Sequence, residues 1–193
     1  MKHSCLSVGA IFGLVLALGC RDSVSPGHGR LPSFSRAPGT GRVGFGFNGS
    51  ASGFPTGAVT LTGGGAYDPA TASNTIPSET EVHSGGGFSC TATVAQGPLG
   101  GCEAGQGVRW DTAQLLVSTG FKCTGADALK TTFTGNETVV LRADFYRAGD
   151  GIDESFSANM IVSESDLAPD ILGVQNLWIQ GVGCGAAVVH FNQ

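Results

Sequence analysis

Few residues in this chain have side chains suited to chemistry, and they are widely spaced. Beyond residue 40 there are two histidines, His83 in a polar, glycine-flanked stretch and His190 between Val189 and Phe191. A general base must reach the proton it takes within hydrogen-bond distance. A single histidine without a partner at fixed spacing reads first as a surface residue. The chain has no Gly-x-Ser-x-Gly elbow and no phosphate-cradling P-loop. Gly39-x-Gly41-x-x-Gly44 fits the dinucleotide fingerprint by letter. It precedes a strand, whereas the fingerprint must follow one and open a helix, so the match is discarded.

Acidic residues are the denser signal. Asp144, Asp150, Asp153, Glu154, Glu164, Asp166 and Asp170 fall within 27 residues that contain one basic residue, Arg147. Asp150, Asp153 and Glu154 are the candidate oxygen ligands for Ca²⁺. The EF-hand pattern fails, because Tyr146 and Ala148 would hold its first and third ligand places. Paired carboxylates also serve glycosidic chemistry when they face each other across a cleft. The simpler reading is a solvated hairpin tip and loop, with Arg142 and Arg147 as surface partners of small energetic weight. Trp178, among Gln175, Asn176 and Gln180, forms a mixed aromatic and polar patch that can hold a ligand. Core tryptophan is the commoner case.

Six cysteines complete the inventory: Cys5, Cys20, Cys90, Cys102, Cys123 and Cys184. The chain has neither a Cys-x-x-Cys pair nor a His-x-x-x-His pair, which argues against zinc. The last four suit two disulfides in an oxidising compartment. Three pairings are possible. The preferred one joins Cys90 to Cys102 across neighbouring strands and Cys123 to Cys184, tying the middle of the chain to its end.

The elements that carry these residues read as strands. Thr138 to Tyr146 and Ser155 to Ser163 alternate apolar and polar residues over nine positions each, with only Val140 and Ile161 out of phase. They form the two arms of a long hairpin running from Glu137 to Val162. Before it, Val43, Phe45 and Phe47 alternate with glycine in a first strand, and a second runs from Thr56 to Thr62, closed by Gly63-Gly64-Gly65. A short strand lies around Val82 and a firmer one over 85–94. Further strands are expected over 113–123, 129–134 and 171–183, and a last one over 186–191. The last carries apolar residues on both faces, as near a sheet centre. With 32 glycines and 13% charged residues, the fold class is all-β. A single antiparallel sandwich or barrel of roughly nine or ten strands, stapled by disulfides, is predicted.

Charge excludes one class of partner. Residues 41–193 carry 14 acids and 6 bases, a formal −8, whereas a nucleic-acid binder needs a basic footprint. No motif calls for a cofactor.

The N-terminus is an address. Lys2 and His3 precede an apolar run of 13 residues from Leu6 to Leu18, short for a membrane-spanning helix and suited to a secretion signal. Ala17-Leu18-Gly19-Cys20 resembles the lipobox of bacterial lipoproteins, in which the cysteine is acylated and becomes the first mature residue. Ala17-x-Gly19 as an ordinary signal-peptidase site is the alternative. The resemblance implies a membrane anchor on Cys20. With Arg21 following in place of the Asp that retains enteric lipoproteins, it also implies the outer membrane. Cysteine parity agrees, since acylation of Cys20 leaves an even four.

Residues 1–19 are thus read as a signal peptide, 20–40 as a flexible Pro/Gly/Ser tether and 41–193 as the folded domain. The expected role is a non-catalytic structural or interaction function at the cell envelope, with an envelope protein or a small apolar ligand as partner. A small-ligand-binding β-barrel is the alternative, and a secreted hydrolase ranks third.

Overall fold

A computed structural model describes residues 41–147 and 155–193. The fold is all-β and antiparallel. Among the described residues eleven strands follow in order: β1 Val43–Gly53, β2 Ala58–Tyr67, β3 Val82–Ala92, β4 Arg109–Leu115, β5 Ser118–Phe121, β6 Lys130–Phe133, β7 Thr138–Tyr146, β8 Ser155–Ser163, β9 Leu177–Ile179, β10 Gly183–Gly185 and β11 Ala187–Asn192. Nine make one sheet in the order β10-β9-β8-β7-β4-β3-β2-β1-β11, and β10 also pairs with β1. That last pairing, Ser52 opposite Cys184 and Gly53 opposite Gly183, closes eight strands into a ring. The architecture is therefore a barrel, of the two forms the sequence left open.

Closure differs at the two ends of the seam. Near β10 it is made by backbone pairing with β9 and β1. Further along, β11 bonds only to β1, and side chains meet its other edge. The Asn176 amide accepts from Ala187 N at 2.7 Å and donates to Ala187 O at 3.1 Å, while Glu164 accepts from Phe191 N at 2.9 Å. Covering an edge in this way removes the template an open strand offers to other chains. The expectation that the last strand lies near the sheet centre is thus corrected. It is an edge strand, and its outer-face Val188 is 81% exposed.

The interior is filled. Phe45, Phe47, Tyr67, Phe88, Trp110, Phe145, Leu61, Leu141, Met160, Leu177 and Ile179 belong to one buried cluster. Rings meet edge-on or offset, with Phe88–Phe145 centroids 5.1 Å apart and Phe45–Tyr67 and Phe47–Trp110 centroids each at 5.8 Å. Each fully buried large side chain contributes ~1.5–3 kcal/mol. The polar handles are satisfied as well: Trp110 Nε1 donates to Thr62 O at 3.1 Å and the Tyr67 hydroxyl to Gly135 O at 2.6 Å.

Glycine makes the room. Gly63-Gly64-Gly65 lie inside β2, correcting the reading of these residues as its end, and Gly85-Gly86-Gly87 lie inside β3, which fuses the two segments expected there. Phe47, Gly63, Gly86 and Trp110 form one row across four strands. A Cβ on Gly63 would stand 2.5 Å from Trp110 Cζ2 and 2.7 Å from Gly85 O.

Two further expectations shift. The strand expected over 113–123 breaks at Leu116–Val117, after a register shift between Thr112 and Gln114, and its second half becomes β5 in a separate two-stranded sheet with β6. The segment 171–183 is strand only at β9 and at Gly183, where β10 begins. Gly173 and Gly181 adopt positive φ (89° and 88°) and turn the chain there, leaving Leu172 and Val174 exposed.

The β5–β6 hairpin belongs to a second core outside the barrel, where Leu116, Phe121, Cys123, Val140, Ile161, Trp178 and Cys184 are buried together. Val140 and Ile161, out of phase in the long hairpin, pair with each other in β7–β8 and face this layer. The tip of that hairpin, 148–154, lies outside the described residues.

Gly63→Ala is expected to lose ~1–3 kcal/mol, the usual cost of overpacking, which corresponds to ~2–4 °C in melting temperature per kcal/mol for a chain of this size. Gly46→Ala, whose added Cβ meets nothing nearer than 3.9 Å, should stay within ~0.5 kcal/mol. Thermal melts of both variants check the contrast. Burial also pushes the Tyr67 phenol well above its ordinary value. A group with a raised folded-state pKa stabilises fully below the unfolded value, ~10, and loses that contribution as pH rises. The melting temperature should therefore fall above pH ~10, and the fall should be smaller in Tyr67→Phe.

Candidate functional site

The most site-like concavity lies outside the barrel, where the β5–β6 hairpin stands off the strands beneath it. Its floor is the paired stretch of β8 and the end of β9, with Asn159, Trp178, Gln180 and Gly181. One wall is the hairpin, with Thr119 to Lys122 and Leu129, and the other is the β1–β2 turn at Phe54 and Pro55. The cavity measures about 200 Å³.

Local sequence explains its form. Gly120 leaves space for Leu129, whose Cδ1 would stand 3.4 Å from an added Cβ, and Gly125 brings the hairpin turn against the Phe54 ring, 3.3 Å from its own added Cβ. Within that turn Thr124 N donates to Asp127 Oδ2 at 3.0 Å, and hydrogen bonding from Thr124 holds the Asp127 carboxyl below its usual range.

Several ties fix the hairpin, among them Val117 N donating to Asn74 Oδ1 at 2.8 Å and Thr134 Oγ1 donating to Leu116 O at 2.6 Å. Cys123 and Cys184 form a disulfide. Trp178 Nε1 donates to Lys122 O at 3.0 Å, and Lys130 Nζ stands 2.5 Å from Asp170 Oδ1. The Lys130 hydrogen bond lowers the Asp170 pKa.

The cleft has both spent and unspent polar groups. Asn159 N donates to Gln180 Oε1 at 3.1 Å, and Asn159 Nδ2 to Thr119 Oγ1 at 3.0 Å. Asn159 Oδ1, Gln180 Nε2 and the Lys122 ammonium have no partner among the described residues. A neighbouring cavity of about 300 Å³, beside β6 and the 163–167 turn, is different. There Lys130 is paired with Asp170, Thr138 with Ser163, and Asp166 accepts from Ala168 N and Gln175 N.

The candidates from the sequence fall elsewhere. His83 and His190 are both exposed, with β1 and β2 between their strands. Asp144 takes a hydrogen bond from Ser157, while Glu164, Asp166 and Asp170 serve three separate structural contacts. Among the described residues no three His, Cys, Asp or Glu side chains converge as metal ligands. The calcium candidates Asp150, Asp153 and Glu154, and the lipidation candidate Cys20, lie outside the described residues.

Cys90 pairs with Cys102 and Cys123 with Cys184, as preferred. Trp178 combines the two readings of its patch, being only 6% exposed yet part of the cleft floor. Sequence reasoning missed Phe54, Leu129, Asn159 and Lys122. The Gly120–Leu129 and Gly125–Phe54 contacts that assemble them carry no local signature.

No family model, curated protein or solved structure matches this chain.

Replacing Cys123 and Cys184 together by serine opens a cross-link spanning 61 residues and should cost ~2–5 kcal/mol. It should also free the hairpin from Trp178. A lowered melting temperature and a red-shifted tryptophan emission in the native baseline are the expected results. Trp110, fully buried in the barrel, is the internal reference.

Proposed function

We propose that this chain is a bacterial cell-envelope lipoprotein, anchored by an acyl group on Cys20, whose domain over 41–193 has a non-catalytic interaction role. The anchor reading rests on the apolar run from Leu6 to Leu18, the lipobox-like Ala17-Leu18-Gly19-Cys20 and the spacer-like composition of 20–40. Two disulfides in the domain agree with an oxidising compartment.

One observation carries the interaction role: the barrel interior is occupied by its own aromatic and aliphatic side chains, while the unspent polar groups face an external cleft. Ligand-carrying barrels hold their cargo in the space that Trp110, Phe145 and Met160 fill here. Recognition therefore falls to the outer surface. A hydrolytic site would call for a histidine or facing carboxylates in a cleft, and the residues lining this cleft include neither.

Expression in a bacterial host with a clickable palmitate analogue tests the anchor. Wild type should take up the label and sediment with outer membranes, and Cys20→Ser should lose both properties. Unlabelled, soluble wild-type protein would show that Ala17-x-Gly19 is an ordinary cleavage site.

A further inference from the structure

The cleft deepens the interaction reading, because its dimensions and unspent groups define one kind of occupant. At about 200 Å³ it falls below the ~300–1,000 Å³ of sites for drug-sized molecules. It has room for about one amino-acid residue. Phe54, Leu129, Phe121 and Trp178 provide apolar contact on three sides. Leu129, packed over Gly120 yet 69% exposed, is an apolar lip that stays largely in solvent.

The polar groups are just as specific. Asn159 Oδ1 is an acceptor and Gln180 Nε2 a donor, and the two residues are neighbours, Gln180, just past β9, donating from its N to Asn159 O in the middle of β8 at 2.9 Å. Together they complement the N–H and C=O of one peptide unit. Lys122 adds a positive charge that no carboxylate neutralises among the described residues. Of the acids on and beside the hairpin, Asp170 is neutralised by Lys130, while Asp127 is held in the Thr124 turn with its charge intact. The remaining negative charge of the domain is screened over ~10 Å at 0.1 M salt, so the local ammonium decides which ligand charge is favoured.

We infer that the cleft captures the C-terminal residue of a partner polypeptide. The apolar side chain of that residue lies between Phe54 and Leu129, its peptide unit on Asn159 and Gln180, and its terminal carboxylate near Lys122. The inference rests on the interaction role proposed above and is independent of the acyl anchor.

N-acetyl-Ala-Leu as the free acid is the first probe, with its C-terminal amide and acetate alone as comparisons. Each is titrated into the isotope-labelled full mature chain on lipid nanodiscs, or in free solution if Cys20 proves unacylated. The side-chain amide signals of Asn159 and Gln180 and the indole signal of Trp178 should shift with half-saturation near ~1 mM, the range open to so small a ligand. The amide form should bind ~10-fold more weakly, and acetate should leave these signals in place.

Lys122→Met should erase the difference between acid and amide. Leu129→Asp should weaken both by at least ~10-fold with an unchanged melting temperature, since the residue is mostly exposed. Equal binding of acid and amide to wild type would overturn the inference. So would undiminished binding to Leu129→Asp, or no shift at ~10 mM. None of these results bears on the labelling of Cys20, so the two readings fail separately.

Discussion

The fold depends on one steric constraint: a closed eight-strand ring must hold Trp110 and a cluster of phenyl groups within a fixed circumference. An eight-stranded barrel has an interior just wide enough for side chains to fill it. If every inward position bore a large residue, the ring could not close. Here Gly63 and Gly86 occupy the same row as Phe47 and Trp110, and Gly65 faces Phe45 from the neighbouring strand. The bare backbone of β2 and β3 is therefore the counterpart of the aromatic wall formed by β1 and β4. Packing at interior density follows from that pairing of large with absent side chains.

Closure has a second requirement, since the last strand has a backbone partner on one side alone. β10 and β11 are separated by Ala186 and share the same neighbour, β1. Beyond Gly185 the partner strand runs out, and Asn176 and Glu164 take its place. The Asn176 amide is a side-chain imitation of a peptide unit, donating and accepting at a single residue. Residues from a loop thus cover the outer edge of β11 at Ala187 and Phe191.

Much of this was legible in the residues, and what was not has identifiable causes. The long hairpin was visible because Thr138–Tyr146 and Ser155–Ser163 alternate with period two, and its tip residues have the composition of a reversal. The all-β class followed from the same periodicity and from the scarcity of helix formers. Val140 and Ile161 looked like defects because a one-sided pattern assumes a wet outer face, whereas this face is dry beneath β5–β6. The glycine runs misled for a related reason. Glycine commonly marks a turn, but in β2 and β3 it marks close approach, and only the position of Trp110 tells the two apart. The break at Leu116 was hidden because a bulge changes phase without changing composition. The cleft was least legible, since Phe54, Leu129, Asn159 and Gln180 come from four separate segments and meet only through long-range closure.

The barrel and the outer layer are held together by different means. The barrel core is complete without the β5–β6 hairpin, as none of its buried members comes from β5 or β6. The hairpin is instead held by the Cys123–Cys184 disulfide, the Trp178 indole, the Lys130–Asp170 pair and the hydrogen bonds of Asn74, Thr134 and Asn159, with Phe121 packed in the outer core. The ion pair has an exposed partner and contributes little by itself. The covalent bond adds a constraint that depends on neither packing nor hydrogen bonding. A surface element fixed by a cross-link can present Leu129 to solvent without collapsing onto its own core, which an untethered apolar hairpin would tend to do. That arrangement keeps a small cavity open beside a barrel whose interior is occupied by its own side chains, at the junction between the ring and the element stapled to it.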